Sequence, residues 1–169
     1  MYPPKFNYYR AGSVDEALTL LQQNHGAKLL AGGHSLLPLM KMRLADPGTI
    51  IDIGRIGELK GITTEGSNIH IGALTPHVVL ERSKTLPHAL VEAAAQIGDP
   101  MVRNRGTIGG NIAHADPASD LPTVLLALGA NIQITGARAT NDSSGQRVTR
   151  MVEAADFFTG FFATALAEE

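Results

Sequence analysis

Lys28-Leu29-Leu30-Ala31-Gly32-Gly33-His34-Ser35-Leu36-Leu37-Pro38 is a short apolar run that breaks on a glycine pair and restarts as an amphipathic segment. A second pair, in Arg105-Gly106-Thr107-Ile108-Gly109-Gly110-Asn111, stands 77 residues further along the chain. Each pair follows an apolar or basic run and closes on a small polar side chain. Two such loops suit closure on one anion from opposite sides. Glycine permits close approach and positive φ, so consecutive N–H groups converge as a nest. Each charge-assisted hydrogen bond from such a nest to a diphosphate is worth roughly 1.5–3 kcal/mol. Together the pairs point to a phosphate-bearing cofactor. The ordinary reading of either pair is a tight turn, which Thr107 and Asn111 weaken for the second.

Outward from the first pair, the pattern alternates strand and helix. Ser13-Val14-Asp15-Glu16 is a capping box, with Ser13 and Glu16 three apart. Val14, Ala17, Leu18, Leu20 and Leu21 follow as an apolar stripe, stopped by Asn24-His25-Gly26. Lys28 to Ala31 reads as a buried strand, Ser35 as the cap of a short helix through Met42, and Ile50 to Ile53 as another buried strand. Residues 1–53 are thus expected to form a β-α-β-α-β lobe with its glycine loop at a strand's carboxyl end.

Beyond Gly54 the pattern changes. Leu59–Thr64 and Asn68–Gly72 read as a hairpin around Glu65-Gly66-Ser67. Thr75-Pro76 opens a helix with Thr75 as cap and Pro76 at its first position. His88–Ile97 is a second helix, and Asp120-Leu121-Pro122 starts a third through Leu128. Asn131–Thr135 and Gln146–Met151 are expected strands flanking a mobile polar loop, Gly136–Gly145. Asp156-Phe157-Phe158-Thr159-Gly160-Phe161-Phe162 holds four of the five phenylalanines. Aromatics gathered there are expected both to close a core and to pack on further protein.

Composition bounds the function. The 169 residues suit one core or two small lobes, 44% are hydrophobic and 18% charged, and the net charge is −2. There is no basic run to bind nucleic acid and no apolar stretch long enough for a membrane span. The opening Met1-Tyr2-Pro3-Pro4-Lys5 lacks a signal peptide's apolar core, so the expected location is the cytoplasm. Cysteine is absent, which excludes disulfides, thiolate catalysis and a cysteine-held cluster on this chain. Any redox chemistry must ride on an organic cofactor. The six histidines lack the i, i+4 spacing of a helical zinc pair, so no metal site is expected. The serine nucleophile elbow, the Rossmann glycine spacing and the Walker loop are missing too. Asp120 reads as a helix cap or as a carboxylate for a ribose hydroxyl. Arg103 and Arg105 read as solvated surface, or as partners for a phosphate or a neighbouring subunit.

The two glycine tracts, with Asp116-Pro117-Ala118-Ser119-Asp120 and the flanking Phe6-Asn7-Tyr8-Tyr9-Arg10 and Asp156-Phe157-Phe158-Thr159-Gly160, resemble the FAD-binding medium subunit of molybdenum hydroxylases. Aerobic carbon monoxide dehydrogenase and xanthine dehydrogenase are members of that group. The resemblance implies an α+β, two-lobed FAD-binding fold of the vanillyl-alcohol oxidase (PCMH) type, with subdomains 1–53 and 54–169. It implies that Ala31, Gly32, Gly33, His34 and Ser35, with Thr107, Ile108, Gly109, Gly110 and Asn111, hold the FAD diphosphate. Asp120 inherits a ribose or adenine-side contact, and Leu166 a contact to the flavin. No residue inherits a catalytic acid or base role. The implied partners are an iron–sulfur subunit with [2Fe-2S] clusters and a large molybdopterin subunit, from which FAD passes electrons to an external acceptor. Members of the group continue into a third lobe, which the resemblance leads us to expect missing after Glu169. The competing expectation is therefore a non-catalytic docking scaffold that binds no flavin alone; a flavoprotein oxidase acting directly on an alcohol is a more distant one.

Overall fold

The computed structural model describes residues 1–136 and 148–166. The first lobe follows the expected order: β1 (Asn7–Arg10), α1 (Val14–Gln23), β2 (Lys28–Leu30), α2 (Leu36–Lys41) and β3 (Thr49–Asp52). All three strands are parallel in the order β1-β3-β2, with Tyr8 and Leu29 flanking Ile50 and Ile51 of the central strand. A central strand with helices on the sheet's faces needs apolar residues on both sides. Thr49, Ile50 and Ile51 are accordingly all buried. Because β3 lies between β1 and β2, the chain crosses the sheet one way and then returns. That reversal leaves a crevice at the carboxyl ends of the strands, where such sheets take ligands.

The capping box forms with one change. Ser13 Oγ accepts from the Glu16 N–H at 3.2 Å, but Glu16 Oε2 accepts from the Gly12 N–H, at 2.7 Å, rather than from the cap residue. After a 3₁₀ turn at Gly57–Leu59 come the hairpin strands β4 (Ile62–Glu65) and β5 (Asn68–Ile71), paired antiparallel. Five helices follow: α3 (His77–Glu81), α4 (His88–Gln96), α5 (Pro100–Arg105), α6 (Ile108–His114) and α7 (Asp120–Ala127). Strands β6 (Asn131–Gly136) and β7 (Val148–Glu153) pair antiparallel. The chain then runs through α8 (Ala154–Phe157) into the small hairpin β8 (Phe158–Gly160) and β9 (Ala163–Thr164). Most of the polar loop expected to be mobile, from residue 137 on, lies outside the described residues.

Two buried clusters form the core. One gathers Ala11, Ala17, Ala27, Ile51, Ile53, Ile56 and Leu74 under the parallel sheet. The other gathers Leu80, Leu86, Leu90, Ala94, Ile108, Leu121 and Leu125 among the helices, with Ile62, Ile69 and Ile71 of the hairpin against it. Phe157 is fully buried and meets Phe158 edge-on at 5.1 Å, whereas Phe161 is 84% exposed and Phe162 57% exposed. The aromatic tail therefore divides between packing and solvent.

Two cap assignments change, and the expected cap of α2 holds its place without a side-chain bond. Pro76, not Thr75, is the N-cap of α3; the buried Thr75 hydroxyl instead bonds the N–H and C=O of Gly61, at 2.9 and 3.0 Å. Ser35 sits before α2 in a right-handed helical conformation and makes no side-chain cap bond. Asp120 is the first helical residue of α7, whose N-cap is Ser119. For Thr75 the competing bond to Gly61 is something that spacing does not reveal.

Candidate functional site

The first glycine motif leaves β2 at Leu30 and enters α2 at Leu36, so it lies at the carboxyl edge of the sheet. Gly33 adopts φ +78°, which only glycine takes at no cost. Gly32 is required for a different reason. A Cβ on it would overlap the Arg105 carbonyl and come within 2.9 Å of Gly106 Cα. Among the described residues, the N–H groups of Gly32, Gly33, His34 and Ser35 make no hydrogen bond within the chain. Four donors on one loop are thus left for a ligand or solvent. His34 and Ser35 are half-buried beside them.

The second motif is not the loop that the sequence suggests. Thr107 is the N-cap of α6, and its Oγ1 accepts from the Gly110 N–H at 3.2 Å. The Ile108 N–H donates to Thr75 O at 3.1 Å, that of Gly109 to Ala73 O at 2.8 Å, and that of Asn111 to Thr107 O at 2.9 Å. Neither Gly109 nor Gly110 has positive φ. The nest expected here is therefore absent, because these N–H groups are consumed by a helix cap and by carbonyls of the turn segment at 73–75. Gly109 is small because a Cβ would stand 2.6 Å from Ala73 Cβ. What the motif leaves open is the Thr107 hydroxyl proton and the Asn111 side-chain NH2; Asn111 Oδ1 accepts from Ser119 Oγ at 2.9 Å.

The motifs nevertheless meet. Gly32 abuts Arg105 and Gly106, and a Cβ on Gly110 would touch Ala31 Cβ at 3.9 Å. His77 seals the seam from below. Its N–H donates to Gly106 O at 3.0 Å, and its ring lies so close that a Cβ on Gly106 would be 2.9 Å from Nε2. His77 is 3% exposed, and its Nδ1 is buried without a partner. Burial, with a smaller contribution from the nearby His34, lowers its pKa to about 4, so the ring is neutral at pH 7. Nothing in Thr75-Pro76-His77 signalled a buried histidine.

Arg103 is not the solvated side chain expected. It pairs with Glu81 at 3.1 Å and donates to the Ile97 carbonyl, bracing α5 behind Gly106. Asp120 is exposed at the start of α7, one residue after the Ser119 that bonds Asn111. Leu166 is 40% exposed beyond the β8–β9 hairpin. That hairpin reaches α6 through Phe162, which bonds Ala115 O and packs on His114 at 5.1 Å. The structure thus ties the segments carrying Asp120 and Leu166 to the second motif.

Residues 4–169 match the model of the FAD binding domain in molybdopterin dehydrogenase. The chain belongs to this family. It is 48% identical over 99% of its length to the carbon monoxide dehydrogenase medium chain of Hydrogenophaga pseudoflava, and 45% identical over 97% to the glyceraldehyde dehydrogenase medium chain of Sulfolobus acidocaldarius. It spans 57% and 56% of those proteins. It also superposes with a TM-score of 0.90 on the structure of Hydrogenophaga pseudoflava carbon monoxide dehydrogenase lacking the Mo-pyranopterin moiety, covering 57% of that chain at 48% identity.

The residues present fit the family's cofactor. A dinucleotide's diphosphate needs a close backbone approach and uncommitted donors, and Gly32 to Ser35 supply both. Exposed Asp120 is the one carboxylate in the candidate set. Groups of three or more His, Asp or Glu able to hold a metal ion do not occur among the described residues.

Proposed function

We propose that this chain is an FAD-holding electron-transfer component of a molybdenum-dependent hydroxylase or dehydrogenase complex. The observation carrying this reading is the seam itself: one loop with four uncommitted N–H groups, set against a second glycine motif of the same family. Ala31, Gly32, Gly33, His34 and Ser35 receive the diphosphate through their backbone. Thr107 and Asn111 add side-chain donors, while Ile108, Gly109 and Gly110 let α6 approach closely enough to close the cradle. Asp120 contacts the ribose or adenine side and Leu166 the flavin. The lobes are 1–53 and 54–169, in a fold of the vanillyl-alcohol oxidase (PCMH) type. When bound, FAD supplies reversible uptake and release of electrons. This chain's residues position it and screen its charge, a task that needs no acid–base pair. By analogy with the multi-subunit relatives, an iron–sulfur subunit and a large molybdopterin subunit are the partners, an external acceptor takes the electrons, and the complex is cytoplasmic. No helix among the described residues is long and apolar enough to cross a membrane.

The test is optical. Protein mixed with FAD and desalted should retain the two-banded flavin spectrum. Gly32→Ala, which drives a methyl group into the Arg105 backbone, should weaken FAD binding by at least about tenfold, roughly 1.4 kcal/mol. Gly26→Ala, at an open position with φ +76°, should leave it unchanged. Equal affinity in the folded Gly32 variant would defeat the assignment. The second reading, a docking component that binds no flavin alone, draws on the exposed Phe161 and Phe162; colourless co-purification with partner subunits would favour it.

A further inference from the structure

The segment 73–77 is the platform on which the second glycine motif rests. The Gly109 N–H donates to Ala73 O at 2.8 Å, that of Ile108 to Thr75 O at 3.1 Å, and that of His77 to Gly106 O at 3.0 Å. Pro76 and Thr107 form an antiparallel bridge in the middle of this ladder. The platform is fixed from its other side too. The Leu74 N–H donates to Leu59 O at 2.7 Å, and the Thr75 hydroxyl bonds both backbone groups of Gly61.

Arg105 and Gly106 are pinched between this platform and the first glycine loop. On one face, a Cβ at Gly32 would overlap the Arg105 carbonyl and stand 2.9 Å from Gly106 Cα. On the other face, a Cβ at Gly106 would stand 2.9 Å from both Cδ2 and Nε2 of His77. With backbone on one side and a ring on the other there is no slack. The size of the ring therefore fixes how closely the 105–106 backbone approaches Gly32. Arg105 also lines a cleft with Arg10, Arg55, Ala31 and Gly32, so the same pinch fixes how Arg105 stands beside that loop. His34, on the loop itself, is near enough for its charge to act on the His77 ring.

The imidazole is kept there at a cost. Its Nδ1 is buried without a partner, a penalty that an apolar side chain of similar size would avoid. A side chain held against the demands of stability points to a different demand.

We propose that His77 is a positioning residue for the FAD cradle, acting through Gly106 rather than on the cofactor. Its ring sets the spacing between the 105–106 backbone and the first glycine loop, and through that spacing the affinity for the dinucleotide. The proposal rests on the flavin reading above and adds a residue that reading leaves out.

Titration of the whole chain with FAD, followed by flavin fluorescence and by phosphorus NMR of the bound diphosphate, tests it. His77→Ala, which removes the spacer, should weaken FAD by at least about tenfold and shift the diphosphate resonances. His77→Phe, whose larger ring pushes Gly106 onto Gly32, should weaken it by a similar factor. His77→Gln, planar and of similar reach, should stay within about threefold of wild type. Leu80→Ala controls for stability, because Leu80 is fully buried in the same helix but belongs to the helical cluster. It should lower Tm and leave FAD affinity and the phosphorus spectrum as in wild type. Circular dichroism gives the folded fraction of each variant; if His77→Ala does not fold, the contrast between His77→Gln and His77→Phe carries the same test. Wild-type affinity in folded His77→Ala and His77→Phe would overturn the proposal, as would an equal loss in Leu80→Ala. No FAD bound by wild type would defeat the flavin reading and this one together. FAD bound alike by wild type and by every His77 variant would defeat this one alone.

Discussion

His77 shows how one side chain can be decided by its surroundings. In the sequence it is one histidine among six; in the fold it is wedged under Gly106 with an orphaned Nδ1. A folded-state pKa of about 4 against 6.5 in the unfolded chain means that between those values the unfolded state binds more protons. The stability that His77 contributes is fully present above pH 6.5, falls as the pH drops towards 4, and falls no further below it. The loss amounts to at most roughly 3 kcal/mol. His77→Gln, which keeps polarity but cannot titrate there, should flatten that part of the Tm-versus-pH curve. An unchanged slope between pH 6.5 and 4 would mean that another group is responsible. Gly32 and Gly109 make the complementary point. Both read in the sequence as members of a nest-forming pair, and both prove to be points where a Cβ would collide with a neighbouring segment's backbone.

Among the elements, α6 is the one the sequence misrepresents. Two adjacent glycines read as a loop because glycine is a poor helix former, costing about 1 kcal/mol relative to alanine. Here the Thr107 cap and the bonds to Ala73 and Thr75 outweigh that preference and start a helix on the glycines themselves. Thr107→Val, which keeps the shape and removes the acceptor, should cost about 1 kcal/mol in chemical denaturation. Thr107→Ser should cost much less. Equal losses would show that the methyl group, not the cap, matters. By contrast α1, β2, β3 and the β4–β5 hairpin follow their patterns within about three residues, because each depends on local signals: a capping box, a short apolar run, a Gly-containing turn.

On the scale of the whole molecule, two buried clusters meet at one seam, where Gly32 lies on Arg105 and Gly106 and where Ile108 is bonded to Thr75. Leu74, in the first cluster, and Thr75 sit on the same short segment that receives α6, so the clusters share backbone support. Ile51→Ala and Leu121→Ala, one in each cluster and both fully buried, should each cost about 2–5 kcal/mol and lower a single calorimetric transition. Two separable transitions would show that the lobes fold independently. The sequence alone settled the order of elements through the β4–β5 hairpin, the absence of thiol chemistry and the family resemblance, since periodicity, composition and short motifs are local properties of the chain. Folding alone determined that one glycine motif offers its N–H groups while the other spends them, that His77 is buried and neutral, and that Arg10, Arg55 and Arg105 share a cleft. Those outcomes depend on which distant segments come into contact, and contact between residues many tens of positions apart leaves no mark in the spacing of either.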